Sequence, residues 1–194
     1  MLYLIILIIL GSTMLVIKKA QILPENISDT IADAQAVVEA QVEIVTSGIP
    51  YQEFFIASGE KHGLPPSVLA SICYRESRFG KALDANLMGD KGHGRGLMQI
   101  DDRTYTDWLM NNNWQDPAIN IDKGAEILRW GYDYALSHGI PESDALQVAC
   151  ATYNHGPGAV SDYKSGNVDK NTTNHNYSSD VIASSQNYSE LNNA

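Results

Sequence analysis

A chain of 194 residues, 44% hydrophobic and 19% charged, is long enough for one domain with a buried core plus some appended sequence. Its net charge of -10 argues against a nucleic-acid partner, because phosphate contacts need clustered Lys and Arg and no such cluster occurs. The same acidity means that binding to an anionic surface cannot rest on bulk attraction; specific contacts in a cleft would have to supply it.

Met1 to Ile17 is almost entirely apolar, interrupted by Gly11, Ser12 and Thr13 and followed at once by Lys18 and Lys19. That length sits at the short end of a membrane-spanning helix. A cleaved leader fits poorly, since no basic stretch precedes the run and no small-x-small site follows it. A buried core helix fits worse, because the segment has no polar face. The expectation is a retained transmembrane anchor over residues 1–19. Residues 20–50 read as a helical stalk: Pro24 breaks the chain, Ser28 can cap, and Ile27, Ile31, Ala34, Val38, Val42 and Val45 recur at spacings of three and four. This stripe would pack on the following domain or self-associate through residues 27–45. Gly48 and Pro50 end it.

The main domain is expected over residues 51–191, with 192–194 as a tail. Tyr51–His62 reads as a helix stopped by Gly63, and Pro65-Pro66 opens the next, which carries Val68, Leu69, Ile72, Cys73 and Glu76. Gly80 to Gly96 is a glycine-rich loop, and Leu97–Ile100 a short strand of a small hairpin. Pro117 starts a long helix through Ile121, Ala125, Leu128, Tyr132 and Leu136. Another helix covers Glu142–Asn154, a polar loop Ser161–Asn176, and a last helix places Tyr177, Val181, Tyr188 and Leu191 on one side. The fold class is mainly α with little strand. The two cysteines, Cys73 and Cys150, lack metal-ligand spacing; they read as buried reduced thiols or as a disulfide between core helices. No metal or cofactor is expected.

Helical positions 69, 72, 73 and 76 share a face. Three are apolar and the fourth is Glu76. A carboxylate there is costly to ionise, so its proton should be held towards neutral pH, as a glycosidase acid requires. The competing reading is a buried ion pair with Arg75 or Arg78, neither of which is well placed at a separation of one or two residues. The segment Gly89-Asp90-Lys91-Gly92-His93-Gly94-Arg95-Gly96 adds an acidic residue in a flexible loop and lacks the Gly-Lys-Ser/Thr ending of a phosphate loop.

Arg75-Glu76-Ser77, Gly89 through Asp101 with its Gly-Leu-Met-Gln-Ile-Asp ending, Thr152-Tyr153-Asn154-His155-Gly156, and Asn171 through Val181 together resemble the goose-type lysozymes. The Glu-Ser and Gly-Leu-Met-Gln elements are shared with soluble lytic transglycosylases. The resemblance covers most of residues 51–191 and none of 1–50. It implies a two-lobed lysozyme-like fold and cleavage between N-acetylmuramic acid and N-acetylglucosamine in peptidoglycan glycan strands. It further implies Glu76 as general acid, Asp90 and Asp101 positioning water, and Gln99, Ile100, Tyr105, Tyr153, Asn154 and Tyr177 lining the sugar cleft. The loop between Glu76 and Asp90 is one residue longer than in the animal enzymes, which puts the reach of Asp90 in question.

Two carboxylates beyond the acid favour hydrolysis, whereas a lytic transglycosylase needs none and leaves anhydro-sugar ends. Loop structure competes for both, since Asp often bonds its own backbone in turns. A membrane-tethered wall-binding or virion structural protein without activity is the alternative of another class; it would need none of the three acids. A wall substrate expects the catalytic domain to be extracytoplasmic, periplasmic or virion-associated. Lys18-Lys19 conflicts with that, because the positive-inside rule would hold their flank in the cytoplasm.

Overall fold

The computed structural model describes the backbone of residues 8–10 and 13–15, and residues 48–194 apart from the Asp90 side chain. Residues from Ser47 onward form one compact unit, set off from residues 1–46. Within the first unit, β1 (Ile8–Leu10) pairs antiparallel with β2 (Thr13–Leu15), in register Ile8 with Leu15 and Leu10 with Thr13. This corrects the expected continuous helix at those positions. β-branched Ile favours extended backbone. Among the described residues no helix is long and apolar enough to cross a membrane. The rest of the expected anchor, and the stalk with its self-associating stripe, lie outside the described residues.

The second unit is built on helices whose ends the sequence marks. α1 (Gln52–His62) stops at Gly63, whose left-handed φ of 62° lets its N–H return to the carbonyls of Glu60 and Gly59. α2 (Pro66–Ser77) begins with Pro66 in its first turn, where a missing N–H costs nothing. It ends at Arg78 and Phe79, both with positive φ. α3 is Thr106–Asn111. α4 (Pro117–Ser137) is capped by Asp116, whose carboxylate accepts from Ala118 N and Ile119 N. α5 (Glu142–His155) follows.

A further helix, α6 (Gly158–Lys164), follows Pro157 and runs into the start of the polar loop expected over Ser161–Asn176. Its Ala159 and Val160 are buried, and Val160 joins Ala135, Ile140, Ala145 and Val148 in a small second core. Two buried apolar residues in an otherwise polar segment were too few to show a period. The last helix, α7 (Tyr177–Ser184), tightens into a 3-10 segment, Ser185–Asn193.

Between α2 and α3 lies a three-stranded antiparallel sheet, β3 (Met88–Gly89), β4 (Gly94–Arg95) and β5 (Ile100–Asp101), in the order β3-β4-β5. One more strand is present than the expected hairpin, and Leu97–Gln99 forms the turn before β5 instead of a strand. The main core gathers Phe55, Leu69, Ile72, Cys73, Met98, Ile100, Ile121, Ala125, Leu128, Cys150 and Val181, all fully or nearly fully buried. Each fully buried large aliphatic side chain contributes about 1.5–3 kcal/mol. Both cysteines are free and sit in this core, as buried reduced thiols.

Candidate active site

Glu76 stands in the last turn of α2, half-buried beside the fully buried Leu69, Ile72 and Cys73 of the same face. Ser77 finishes the helix behind it. Its hydroxyl donates to Cys73 O at 3.1 Å and accepts from Gly80 N at 3.0 Å, so the chain turns away directly after the carboxylate. The Tyr177 hydroxyl donates to Glu76 Oε1. Tyr177 is only 2% exposed. Burial, and then the neighbouring Glu76 and Tyr153, raise its phenol well above the ordinary value, so it stays a donor throughout the working pH range. Arg75 turns to the C-terminal segment, bonding Asp180 and Asn176 Oδ1 and covering the Tyr177 ring at 4.7 Å. Arg78 stacks on Tyr74 at 4.6 Å.

Tyr153 rises from α5 and donates its hydroxyl to Met98 O at 2.7 Å, tying that helix to the turn before β5. Burial raises its phenol well above the ordinary value, with the charges of Glu76 and Tyr105 adding to the effect. Burial also raises the Tyr105 phenol, and the Glu126 and then the Asp101 carboxylates add to it. Asn154, next to Tyr153, accepts Thr173 N on Oδ1 at 2.8 Å and so holds the loop leading to Tyr177.

Asp101 ends β5. Its carboxylate accepts from Arg103 Nε at 2.8 Å and Thr104 Oγ1 at 2.7 Å. Partial burial works to raise its pKa, but the bonds from Thr104 and Arg103 and the Arg103 charge outweigh it, and the value falls below the ordinary one. Asp101 is ionised wherever the site operates. Asp90 opens the 3-10 turn Asp90–Gly92 directly after β3; its carboxyl lies outside the described side chains. The loop between Glu76 and Asp90 is not slack: Asp84 Oδ1 accepts from Asn86 N at 2.8 Å and Met88 N at 2.9 Å.

One residue expected at the cleft surface is placed otherwise. Ile100 is 1% exposed and belongs to the core, because alternation along β5 puts Asp101 out and Ile100 in. Gln99, at a φ of 50°, folds back to donate to Gly96 O at 2.9 Å. It lies so close over the paired Gly89 and Gly94 that a Cβ on either would come within 2.2 and 2.0 Å of its Oε1. The glycines of this segment thus make room for Gln99, which lies half-buried over the hairpin.

Asn120 was not anticipated. It is 1% exposed on the first turns of α4, accepts from Met98 N at 2.8 Å and donates to Arg95 O and Trp114 O, both at 3.1 Å. Its signal in the sequence is a lone polar residue beside the apolar stripe of Ile121, Ala125 and Leu128. Lys123, also buried, lies 4.9 Å from the Tyr105 ring and 5.5 Å from that of Trp108, with its ammonium on Glu126 at 2.7 Å. Two surface cavities, of about 340 and 220 Å³, are lined by other residues, among them Trp108, Lys123 and Glu126 for the first and Phe79, Leu83 and Leu97 for the second. Glu76 lines neither of these two.

The family profile described as Lysozyme g matches residues 48–191. A lysozyme G of the emu, Dromaius novaehollandiae, is 34% identical over 152 residues, covering 72% of this chain and 66% of that protein. A lysozyme g of the carp, Cyprinus carpio, is 31% identical over 160 residues, covering 81% and 82%. That of the chicken, Gallus gallus, is 35% identical over 140 residues, covering 66% of this chain and 58% of its own length. The chain thus spans about two thirds of the length of the emu protein and less of the chicken one. With a profile match across the whole helical unit and relatives above 30% identity, the chain belongs to the lysozyme g family of glycoside hydrolases.

Proposed function

We propose that this chain is a muramidase that hydrolyses the β-1,4 bond between N-acetylmuramic acid and N-acetylglucosamine in peptidoglycan, with Glu76 as general acid. The observation that carries this is the Glu76 carboxyl, half-buried on the apolar face of α2 and fixed through one oxygen by the Tyr177 hydroxyl. A carboxyl held in this way is placed to deliver a proton to the glycosidic oxygen. Asp101, kept ionised by Arg103 and Thr104, is suited to orient and polarise the attacking water, with Asp90 as its partner in that task. An inverting reaction needs roughly 6.5–9.5 Å between acid and base for that water. Tyr105, Tyr153 and Asn154 are the half-buried side chains best placed to meet the sugars. An acidic protein on an acidic wall depends on such contacts and not on net attraction. A wall substrate puts the working unit on the wall side of any membrane.

A second reading has its own observation. Both oxygens of Asp101 are already engaged by Arg103 and Thr104, as in a carboxylate that shapes a turn. If that is its whole role, the substrate's own hydroxyl becomes the nucleophile and the reaction is that of a lytic transglycosylase. Digestion of purified peptidoglycan followed by mass spectrometry separates the two. Hydrolysis leaves reducing muramic acid ends, and transglycosylation leaves 1,6-anhydromuramic ends. Intact glycan strands after prolonged incubation would leave a wall-binding protein without activity.

A further inference from the structure

The start of α7 is held by a residue eight positions ahead of it. Asn176, the cap position, makes no side-chain bond to the helix and instead accepts from Arg75 at 2.9 Å. The bonds a cap would make come from Asp169, which is 5% exposed. Its carboxylate accepts from Ser178 N at 2.8 Å, Ser179 N at 3.0 Å, Ser178 Oγ at 2.9 Å and Thr172 Oγ1 at 2.9 Å. Four donors meet a group that can only accept, which is the matched case for an ionised carboxylate. Thr172 Oγ1, so anchored, accepts Tyr177 N at 3.2 Å. Tyr177 is thus bracketed: its own N–H and the two that follow are all tied, directly or through Thr172, to Asp169.

The intervening backbone would not choose this path unaided. Asn174 and His175 both have positive φ, 59° and 56°, which non-glycine residues adopt at a cost. His175 Nδ1 and Lys170 O, 2.6 Å apart, and Asn154 on Thr173 N hold the same loop from outside.

We propose that Asp169 is a positioning residue for the catalytic acid: it fixes the first turn of α7 and so sets the Tyr177 hydroxyl against Glu76. This rests on the reading of Glu76 given above. Asp169 touches no substrate; it acts by keeping the acid in one rotamer through Tyr177. Misplacement of a reacting group by an ångström is enough to cost on the order of a hundred-fold in rate, so a loosened first turn should be visible in kcat.

The test is a cycle in the full chain with Asp169→Asn, Tyr177→Phe and the double variant, assayed for kcat and KM on soluble peptidoglycan oligosaccharides. Asp169→Asn keeps the size but turns an N–H₂ towards Ser178 and Ser179. It is expected to lower kcat about ten-fold with KM within about two-fold. In the Tyr177→Phe background the same change should have no further effect, because both act on one contact. Losses that multiply would overturn the proposal, as would an activity loss equal to the unfolded fraction seen in thermal melts. If Asp169→Asn does not fold, Thr172→Val takes its place in the cycle under the same criteria, its loss vanishing in the Tyr177→Phe background or overturning the proposal by persisting. Wild-type rates in both Glu76→Gln and Tyr177→Phe would reject the site itself, an outcome distinct from a cycle in which those two variants matter and Asp169 acts independently.

Discussion

Asn120 accepts the Met98 amide at 2.8 Å across 22 positions of sequence, and its own amide reaches back to Arg95 O at 3.1 Å. One buried side chain on α4 thereby fixes both ends of the turn that joins β4 to β5. Gly96 crosses directly above it at a φ of 68°, where a Cβ would come within 2.3 Å of Asn120 Nδ2. The turn carries Met98 O, to which Tyr153 is bonded, and delivers Asp101 at its end.

Asn120→Leu should therefore destabilise the fold by about 2–4 kcal/mol, since it leaves buried backbone groups of Met98, Arg95 and Trp114 without their partner. Urea denaturation monitored by circular dichroism measures this. A change under about 0.5 kcal/mol, the range of ordinary surface substitutions, would show that the turn holds itself.

Asp101→Asn should lower the rate of reducing-end release by about a hundred-fold while changing the affinity for a non-cleaved glycan fragment by no more than a few-fold. The substitution removes the charge and keeps the shape. Equal losses in rate and affinity would make Asp101 a binding residue. An unchanged rate of strand cleavage that leaves anhydro ends would favour transglycosylation.

Two carboxylates make the fold acid-sensitive. Burial acts to raise both Asp122 and Asp169, but Lys61 and His62 at Asp122, and the Ser178 and Ser179 donors at Asp169, outweigh it and hold each below the ordinary 3.8. The folded state thus binds fewer protons than the unfolded one. The stability this contributes is complete above the unfolded value and is lost as pH falls through the lower folded value. The melting temperature should drop as pH falls from about 4 towards 2. Asp169→Asn should be less stable than wild type by about 1–2 kcal/mol at pH 7, the cost of a lost helix cap, and the gap should close over the same acid interval. A gap constant from pH 7 to 2 would contradict the assignment.

Cys73 and Cys150 should resist thiol reagents in the native protein. Burial pushes both thiols up to about 12, offset slightly at Cys73 by Ser77 and added to at Cys150 by Asp169. The thiolate is the reacting form. At pH 8 a chromogenic disulfide should label neither until denaturant is added, and then both. Prompt labelling of either in the folded state would show an opening that the closed core does not have.

Four helices of the second unit were legible because each carries its own boundary marks: Gly63 after α1, Pro66 and Pro117 at the starts of α2 and α4, Gly156 and Pro157 after α5; the short α3 and α6 were not read from the sequence. Glu76 was legible as a lone carboxylate on an apolar face. What the sequence hid was set by contacts between distant segments. Asp169 reads as one more acid in a polar loop until α7 folds onto it. Ile100 shares a motif with Asp101, and a motif does not say which side chain turns inward. The apolar run at Met1–Ile17 sat at the short end of the length rule for a spanning helix, yet Ile8–Leu10 and Thr13–Leu15 are paired strands, because hydropathy sums do not separate helix from strand in a short apolar run.

The most direct test of the central claim is the rate of muramyl end release from purified peptidoglycan by Glu76→Gln. The exchange keeps the Tyr177 contact and the packing of α2 but leaves no proton to give. The account predicts a loss of at least about a thousand-fold, with an unchanged melting temperature and retained binding of glycan fragments. A Glu76→Gln protein that cleaves glycan strands at the wild-type rate would contradict it.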